Sequence, residues 1–312
     1  MSNIYLGISV VFPIFCMMAL GYFLKYKNIL NENFFDQLSL MSYKIFLPFV
    51  LFMNIYHSDF YTLFDVKYIG LSVAIVVASF CLLCFIIPKI EKKNMNRSVM
   101  IQGIFRSNSI LFCIPIVQNI YGYESTGITA IMLAFVVPLF NVFAVFILSK
   151  YSKSNPSPKE VLLDVVRNPL IIGSVLGFLF AIFKIPMPSL LDEVMNELAK
   201  SATPISLIAL GGCFQFSSLS LYKKQLTVSV LGKLVILPLI FIPIAILLGY
   251  RNIELASLMG MLLSPTSVSS FTMAQSAKAN AQLAGQIVVL TSLFSVVTIF
   301  PWIVVLKQMG LI

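Results

Sequence analysis

Charged residues are scarce in this sequence. They make up 11% of the 312 residues, whereas 59% are hydrophobic. A typical soluble domain carries about 25% charged residues, so this chain has too few to cover a soluble surface. We therefore predict an all-α polytopic membrane protein in a lipid bilayer. At roughly 20 residues per span, ten transmembrane helices fit with short connections, and no separate soluble domain does.

Residue types that build common catalytic and metal sites are also scarce. Histidine occurs once, as His57, and there is no phosphate-binding glycine loop, zinc signature or nucleophile elbow. The five cysteines lie in apolar runs. The spacing of Cys81 and Cys84 lacks the second pair or nearby histidine of a metal motif. We expect buried thiols that act as small hydrophobic side chains, no cofactor, no metal and no enzyme activity.

Basic residues outnumber acidic ones by 21 to 12. A nucleic-acid partner is not needed to explain this excess, because cytoplasmic loops of membrane proteins collect Lys and Arg. Thirteen basic residues lie in one set of alternating connections and four in the other. The positive-inside rule then predicts a cytoplasmic middle linker and both termini outside.

Ten apolar runs divide into two halves of five. Residues 1–150 form the first predicted repeat, residues 151–163 a linker, and residues 164–312 the second repeat. The runs lie near residues 4–24, 36–56, 68–88, 98–120, 126–149, 165–184, 190–213, 226–249, 255–277 and 281–306. At an offset of 156 the halves match at Pro13 and Pro169, Leu20-Gly21 and Leu176-Gly177, Lys44 and Lys200, and Pro48 and Pro204. Five spans per half predict an inverted repeat, the plan of many secondary transporters.

The ninth run contains a proline with hydroxyl residues around it. Pro265 removes a backbone donor, Ser264 can cap a new helix, and Thr266 and Ser267 follow. An opened backbone inside a bilayer is tolerated only where protein or a water-filled cavity surrounds it. The pattern therefore predicts a broken helix at a binding site; an ordinary proline kink is the alternative.

The fourth run contains a matching feature. Pro115 aligns with Pro265 at an offset of 150, and Asn108 lies two helical turns before it, next to Ser109. We expect the fourth and ninth helices to be interrupted, with helix halves that begin at Pro115 and Pro265, and Asn108 to lie in the site. Packing between helices is the alternative role for this amide.

Two basic residues within the runs, Arg106 and Lys233, have no evident counter-ion. All twelve carboxylates lie in connections or near helix ends, so a bound anion could supply the negative charge. Helices beginning at the two prolines would add positive dipole ends. Snorkelling is the alternative for both residues, and we expect structural roles for Lys44 and Lys200. The predicted substrate-binding residues, including a second amide, are Arg106, Asn108, Ser109, Pro115, Asn141, Lys233, Ser264, Pro265, Thr266 and Ser267.

Several segments resemble the auxin efflux carrier family, which includes plant auxin carriers and bacterial malate and malonate permeases. The resemblance covers nearly the whole chain. Its best segments are FRSNSILFCIPI from Phe105, ATPISLIALGG from Ala202, SPTSVSSFTMA from Ser264 and LTSLFSVVTIFPW from Leu290, with KIFLPFVLF from Lys44 and KLVILPLI from Lys233.

The resemblance implies a fold like that of bile acid and sodium symporters. Helices 1, 2, 6 and 7 would form a scaffold that could make a homodimer, and helices 3–5 and 8–10 a mobile transport domain. The fourth and ninth helices would cross at Pro115 and Pro265. A small organic anion would bind near the crossing and move by an elevator mechanism. Ser269-Ser270 replaces a second proline of the plant carriers, and their long central loop is absent. These departures favour a bacterial inner-membrane carboxylate carrier over an auxin carrier.

Two other functions stay open at this point. The same fold could serve a cation-coupled importer of another solute. It could also serve a membrane sensor or scaffold that does not transport. The short loops, however, leave little surface through which a sensor could pass a signal to a partner.

Overall fold

The computed structural model describes residues 2–58, 65–122, 126–152 and 157–312. Within these ranges the chain is helical, with one isolated backbone bridge and no strand. The helices are α1 Ser2–Tyr26, α2 Glu32–Met41, α3 Leu47–Tyr56, α4 Val66–Ile90, α5 Asn94–Phe105, α6 Ser109–Tyr121, α7 Thr126–Ser152, α8 Pro158–Val166, α9 Pro169–Ile182, α10 Ser189–Cys213, α11 Ser217–Leu221, α12 Lys223–Leu231, α13 Leu237–Leu247, α14 Asn252–Leu263, α15 Ser269–Ser276 and α16 Ala281–Gln308.

Five helical stretches in the described residues are long and apolar enough to cross a membrane. They are Glu32–Tyr56, Val66–Ile90, Thr126–Tyr151, Lys223–Leu247 and Ala281–Gln308, and α8 with α9, bent by 56°, makes a sixth candidate. The predicted all-helical membrane protein is thus confirmed, while the ten-helix inverted repeat stays a prediction. Three further runs appear only as shorter apolar helices, namely Val11–Tyr26 in the first run and Ser109–Tyr121 and Asn252–Leu263 in the interrupted fourth and ninth runs. The seventh run does not qualify because α10 carries four charged residues in its first half.

The predicted linker, residues 151–163, is partly helical. Residues 153–156 lie outside the described residues, but α8 begins at Pro158. Its start is a capping box, in which the Ser157 hydroxyl accepts from the Glu160 N–H and the Glu160 carboxylate accepts from the Ser157 N–H, both at 3.2 Å. Ser157, Pro158 and Glu160, which lie in the predicted linker, therefore form the start of a helix.

Two long helices contain a π-helical turn. The first turn, Ser42–Phe46, joins α2 to α3, and the second, Gly232–Ile236, joins α12 to α13. Each lies directly ahead of a proline, Pro48 or Pro238, at the second position of the following helix. Since proline lacks an N–H and its ring clashes with the preceding turn, one extra residue relieves the crowding while both helices continue.

Glycines set the closest helix contacts. A methyl group on Gly211 of α10 would overlap the carbonyl oxygen of Met18 in α1, and one on Gly21 of α1 would overlap that of Ile208 in α10. Small residues allow backbones in a membrane to approach this closely. Gly21 and Gly211 therefore fix the packing of α1 on α10.

A second pair of helices packs in the same way. A methyl group on Gly173 of α9 would lie 2.6 Å from the carbonyl oxygen of Pro48 in α3, and one on Gly177 would lie 2.9 Å from that of Phe52. The helices α1, α2, α3, α9 and α10 form one packed group. The remaining long helices pack around α5, α6, α14 and α15.

The half-helices α5 and α14 are enclosed by protein. Every residue of α14 from Leu255 to Leu263 is buried, as is every residue of α5 from Ser98 to Phe105. Their ends therefore lie away from lipid, which is the condition for interrupting a helix at membrane depth.

A buried carboxylate links α12 to the connection between α4 and α5. Glu91 accepts hydrogen bonds from the Lys93 N–H at 2.8 Å and from the Gln225 side chain of α12 at 2.6 Å. Burial alone would raise the pKa of Glu91, but these hydrogen bonds, with those from Asn96 and the Lys92 backbone, hold it below its usual value. The ionised carboxylate thus keeps α12 against the start of α5.

The Gly211 contact predicts different effects for two equivalent substitutions. Gly211→Ala should lower thermal stability by about 1–3 kcal/mol, because the added methyl group pushes α1 from α10. Gly70→Ala is the matched control, since its methyl group would meet nothing within 4 Å and alanine is the better helix former. Thermal unfolding of both purified variants tests this, and equal melting temperatures would contradict the packing.

Candidate functional site

The interruptions of two helix pairs meet at one place. Three residues, 106–108, separate α5 from α6, and five residues, 264–268, separate α14 from α15. Ser107 and Thr266 form an isolated antiparallel bridge. The Asn108 N–H donates to the Pro265 carbonyl oxygen at 2.7 Å. Two segments that are about 160 residues apart in sequence thus bind each other through their backbones.

The break in the fourth run does not lie at Pro115. Pro115 is the seventh residue of α6, and the helix continues through it, so this detail of the sequence prediction is wrong. A proline in a helix removes one hydrogen bond, which the surrounding turns can tolerate. The chain opens instead at residues 106–108, where the second break supplies backbone partners. The free helix starts are consequently Ser109 and Ser269, not the two prolines.

Hydroxyl groups satisfy the opened backbone on the side away from the cavity. The Thr266 hydroxyl donates to the Gly103 carbonyl at 2.6 Å, and its N–H donates to the Thr291 hydroxyl at 3.1 Å. The Ser264 hydroxyl donates to the Gly260 carbonyl at 2.5 Å. Since unpaired backbone groups are costly when buried, these residues stabilise the break. Ser264 and Thr266 therefore hold the site without lining it.

A cavity of about 90 Å³ lies beside the crossing. Of the predicted site residues, Arg106, Asn108, Ser109, Asn141 and Ser267 line it. Pro115, Lys233, Ser264, Pro265 and Thr266 do not. The remaining lining residues come from both breaks and from α3, α6, α7, α9, α10 and α15; they are Leu47, Val50, Leu51, Ser107, Ile110, Leu111, Val137, Phe140, Leu170, Thr203, Ser206, Val268 and Ser269.

Arg106 is the main charged group of this cavity. It is 4% exposed, and its Nη2 donates to the Asn141 Oδ1 at 2.5 Å and the Ser269 Oγ at 2.8 Å. Its Nη1 donates to the Met273 thioether at 2.5 Å, although sulfur is a weak acceptor. Across the described ranges no carboxylate pairs with this guanidinium. Arg106 is therefore a buried cation that uses only neutral partners.

The start of α6 adds further donors. Asn108 is the N-cap residue, yet its side chain makes no capping bond and has no hydrogen-bond partner among the described residues. The buried Ser109 hydroxyl is likewise without a partner there. Residues 109–111 all line the cavity, and the first N–H groups of a helix have no partner within it. This helix end combines free donors with a positive dipole end.

Lys233 lies behind the cavity wall. It belongs to the second π turn, is 1% exposed, and donates through Nζ to the Ser107 hydroxyl. The neighbouring Gly232 lets this turn approach α5, because a methyl group there would lie 3.2 Å from Ile104. Ser107 lines the cavity, so the lysine reaches it through one intervening hydroxyl. The direct contact expected from the sequence is not present.

The polar groups of the site are suited to binding a ligand. It presents a guanidinium, two free side-chain donors and an uncapped helix start. Among the residues that the structure describes, no group of three His, Cys, Asp or Glu side chains could hold a metal ion. The arrangement suits a small ligand that accepts hydrogen bonds and carries negative charge.

A family model described as "Membrane transport protein" matches residues 6–303. The chain belongs to this family. The assignment confirms the resemblance to the auxin efflux carriers, and it identifies a transporter rather than an enzyme. The match covers both interrupted helix pairs and every residue that lines the cavity.

The chain is also similar to curated bacterial transporters. The "Uncharacterized transporter YfdV" of Escherichia coli (strain K12) is 23% identical over 265 residues, which are 80% of this chain and 82% of that protein. The protein of the same name from Shigella flexneri matches to the same extent. These printed names indicate transport and specify no substrate.

Several lining residues were absent from the sequence prediction. Thr203 and Ser206 of α10 lie in an apolar run, where a hydroxyl usually indicates helix packing. Ser107 and Ser269 flank residues that were selected, and they could have been found by including every polar residue around each break.

The two cavity asparagines should differ in their effect on stability. Asn141→Ala should lower the free energy of unfolding by about 1–3 kcal/mol, because the buried Arg106 loses an acceptor. Asn108→Ala should change stability by less than about 0.5 kcal/mol, since its amide has no partner to lose. Thermal unfolding of the ligand-free variants measures both, and a large loss for Asn108→Ala would mean that its amide is structural.

Proposed function

We propose that this protein is a secondary transporter of a small organic anion, a carboxylate such as malate or malonate, that works by elevator-type alternating access. The observation that carries the proposal is Arg106. It is buried beside the cavity, pairs with no carboxylate of the described residues, and directs one donor at a thioether. A substrate carboxylate would be a far stronger acceptor than that sulfur.

The remaining lining supports the same ligand. The Asn108 amide, the Ser109 hydroxyl and the first N–H groups of α6 offer donors on the Arg106 side of the cavity. The lining residues from α3 and α9 (Leu47, Val50, Leu51 and Leu170) are apolar. A volume of about 90 Å³ is well below the 300–1,000 Å³ typical of pockets for drug-sized ligands, which favours a substrate of a few carbon atoms.

The packing supports an inverted repeat of ten spans. α1 packs on α10 through Gly21, and α9 packs on α3 through Gly177, which is the residue that matches Gly21 in the proposed repeat. These contacts relate span 1 to span 7 and span 6 to span 2, as an inverted symmetry requires. The two breaks supply the second matched feature, and their meeting point would be the midplane site of such transporters.

The position of the cavity supports alternating access. One wall comes from α3, α9 and α10, which belong to the proposed scaffold, and the other comes from the crossing and α7 of the proposed transport domain. A ligand between two groups of helices would be carried when one slides along the other. The scaffold would also form any homodimer. In a bacterial inner membrane, both termini would lie outside the cytoplasm.

Uptake of labelled malate and malonate into proteoliposomes tests the proposal. Arg106→Gln should lower affinity about ten- to a hundredfold, which corresponds to the loss of one charge-assisted hydrogen bond. Lys200→Gln is the matched control, because Lys200 is exposed and its pair with Glu197 lies on the surface. Absence of carboxylate uptake by the native protein would contradict the proposal, as would an Arg106→Gln variant with unchanged affinity.

A crosslink between the two groups tests the elevator movement. Gln275 of α15 donates to the Asp36 carboxylate of α2 at 2.5 Å. Cysteines at these positions, joined by a short bifunctional thiol reagent, should stop uptake, because α15 could no longer slide past α2. The background needs Cys213→Ser, since this thiol lies 3.8 Å from Asp36. Each single-cysteine variant with the same reagent is the control. Normal uptake by fully crosslinked protein would contradict sliding between these helices.

A further inference from the structure

The hydrogen bond from Lys233 fixes the direction of the Ser107 hydroxyl. An ammonium group can only donate, so the Ser107 Oγ must accept. The hydroxyl hydrogen is then left for another partner. Ser107 is buried and lines the cavity, and its side chain makes no other hydrogen bond within the described ranges. A ligand in the cavity can therefore accept this hydrogen.

A second chain of hydroxyls can take the same direction. Arg106 donates to the Ser269 Oγ, and the Ser269 and Ser267 hydroxyls lie 2.8 Å apart. Either hydroxyl can be the donor in that second hydrogen bond, because the Ser269 oxygen has a further lone pair after it accepts from the guanidinium. When Ser269 donates, the hydrogen of Ser267, which lines the cavity, is left for a ligand. Both chains begin at a buried cation and reach a hydroxyl that lines the cavity.

We infer that Lys233 is a positioning residue for substrate selectivity: by holding Ser107 as a donor, it makes the cavity prefer an ionised carboxylate over the corresponding neutral amide. The inference builds on the proposed transport of organic anions and adds how the anion is distinguished. A carboxylate can accept from both chains through its two oxygens. The corresponding amide has one oxygen, so its NH₂ group would face one of the hydroxyl hydrogens and leave donors without acceptors.

Lys233 performs this role without touching the substrate. It is 1% exposed, and the cavity wall at this point is Ser107. An effect through Ser107 differs from a direct charge effect in one respect. It vanishes when the serine hydroxyl is removed, whereas the electrostatic attraction of a lysine for an anion would persist.

A double-mutant cycle with malonate and malonamide as probes tests the inference. Lys233→Met and Ser107→Ala should each lower malonate affinity about tenfold and malonamide affinity much less. The double variant should be no weaker than either single variant, because both remove the same donor. Lys233→Arg, which keeps a donor at this position, should retain the preference for malonate over malonamide.

The control is Lys44→Met. Lys44 is the third residue of the first π turn, whereas Lys233 is the second residue of the second, and Lys44 is exposed and does not line the cavity. Its substitution should leave both affinities unchanged. Melting temperatures of all variants, recorded without ligand, separate loss of folded protein from loss of binding.

Each other outcome has a distinct meaning. If the native protein binds no carboxylate, the proposed function fails, and this inference fails with it. If it binds malonate but the losses in the two single variants add, Lys233 attracts the anion directly and only the positioning role is overturned. If the melting temperature falls while the ratio of malonate to malonamide affinity stays constant, the role of Lys233 is structural and the inference is again overturned.

Discussion

A helix interrupted inside a bilayer is stable only if protein or enclosed water satisfies its opened backbone. In this structure the two interruptions satisfy each other. The Asn108 N–H binds the Pro265 carbonyl, and the Thr266 hydroxyl reaches back to the Gly103 carbonyl. Neither break has this set of partners without the other. The pairing also fixes where the helix start at Ser109 lies relative to Arg106, so the geometry of the cavity depends on it.

The second constraint is electrostatic. Arg106 and Lys233 are both buried, and in the described part of the chain their hydrogen-bond partners are neutral side chains. Burying a charge without a counter-ion is costly, and neutral hydrogen bonds offset only part of that cost. The proposed anion would complete the compensation. In such a carrier the substrate would bind beside the buried charges that cost the empty protein the most free energy. Binding would lower this cost and so affect the proposed movement.

The sequence predicts the region of the candidate site, but not the residues at which the fourth run opens. The sequence indicates Arg106 because this basic residue has no evident counter-ion, and Asn108 because it is an amide within an apolar run; both line the cavity. It indicates Pro115 because this proline aligns with Pro265 in the second half. Its own sequence environment does not reveal that a better place to open the chain, with partners from a distant segment, lies seven to nine residues earlier.

Lys233 and Thr203 show a different limit. Their distance from the cavity depends on contacts between helices that are far apart in sequence. The close approach of the second π turn to α5 requires Gly232 opposite Ile104, a pairing that no periodic pattern encodes. A hydroxyl such as that of Thr203 in an apolar run usually indicates helix packing, so its residue type does not identify it as a lining residue. Residue type and spacing thus indicate which helices are unusual, whereas tertiary contacts decide which side chains face the ligand.

The π turns also affect how this chain should be compared with its relatives. Each residue rotates an α-helix by about 100°, and a π turn contains one residue more than the helix around it needs. The faces of α12 and α13 are therefore out of phase, although Lys223–Leu247 is continuous. An alignment that treats this stretch as one regular helix would assign lipid-facing positions of α13 to its buried side. A relative that lacks one residue within Gly232–Ile236 would form a regular α-helix here and present the same face of α13 to the same neighbours.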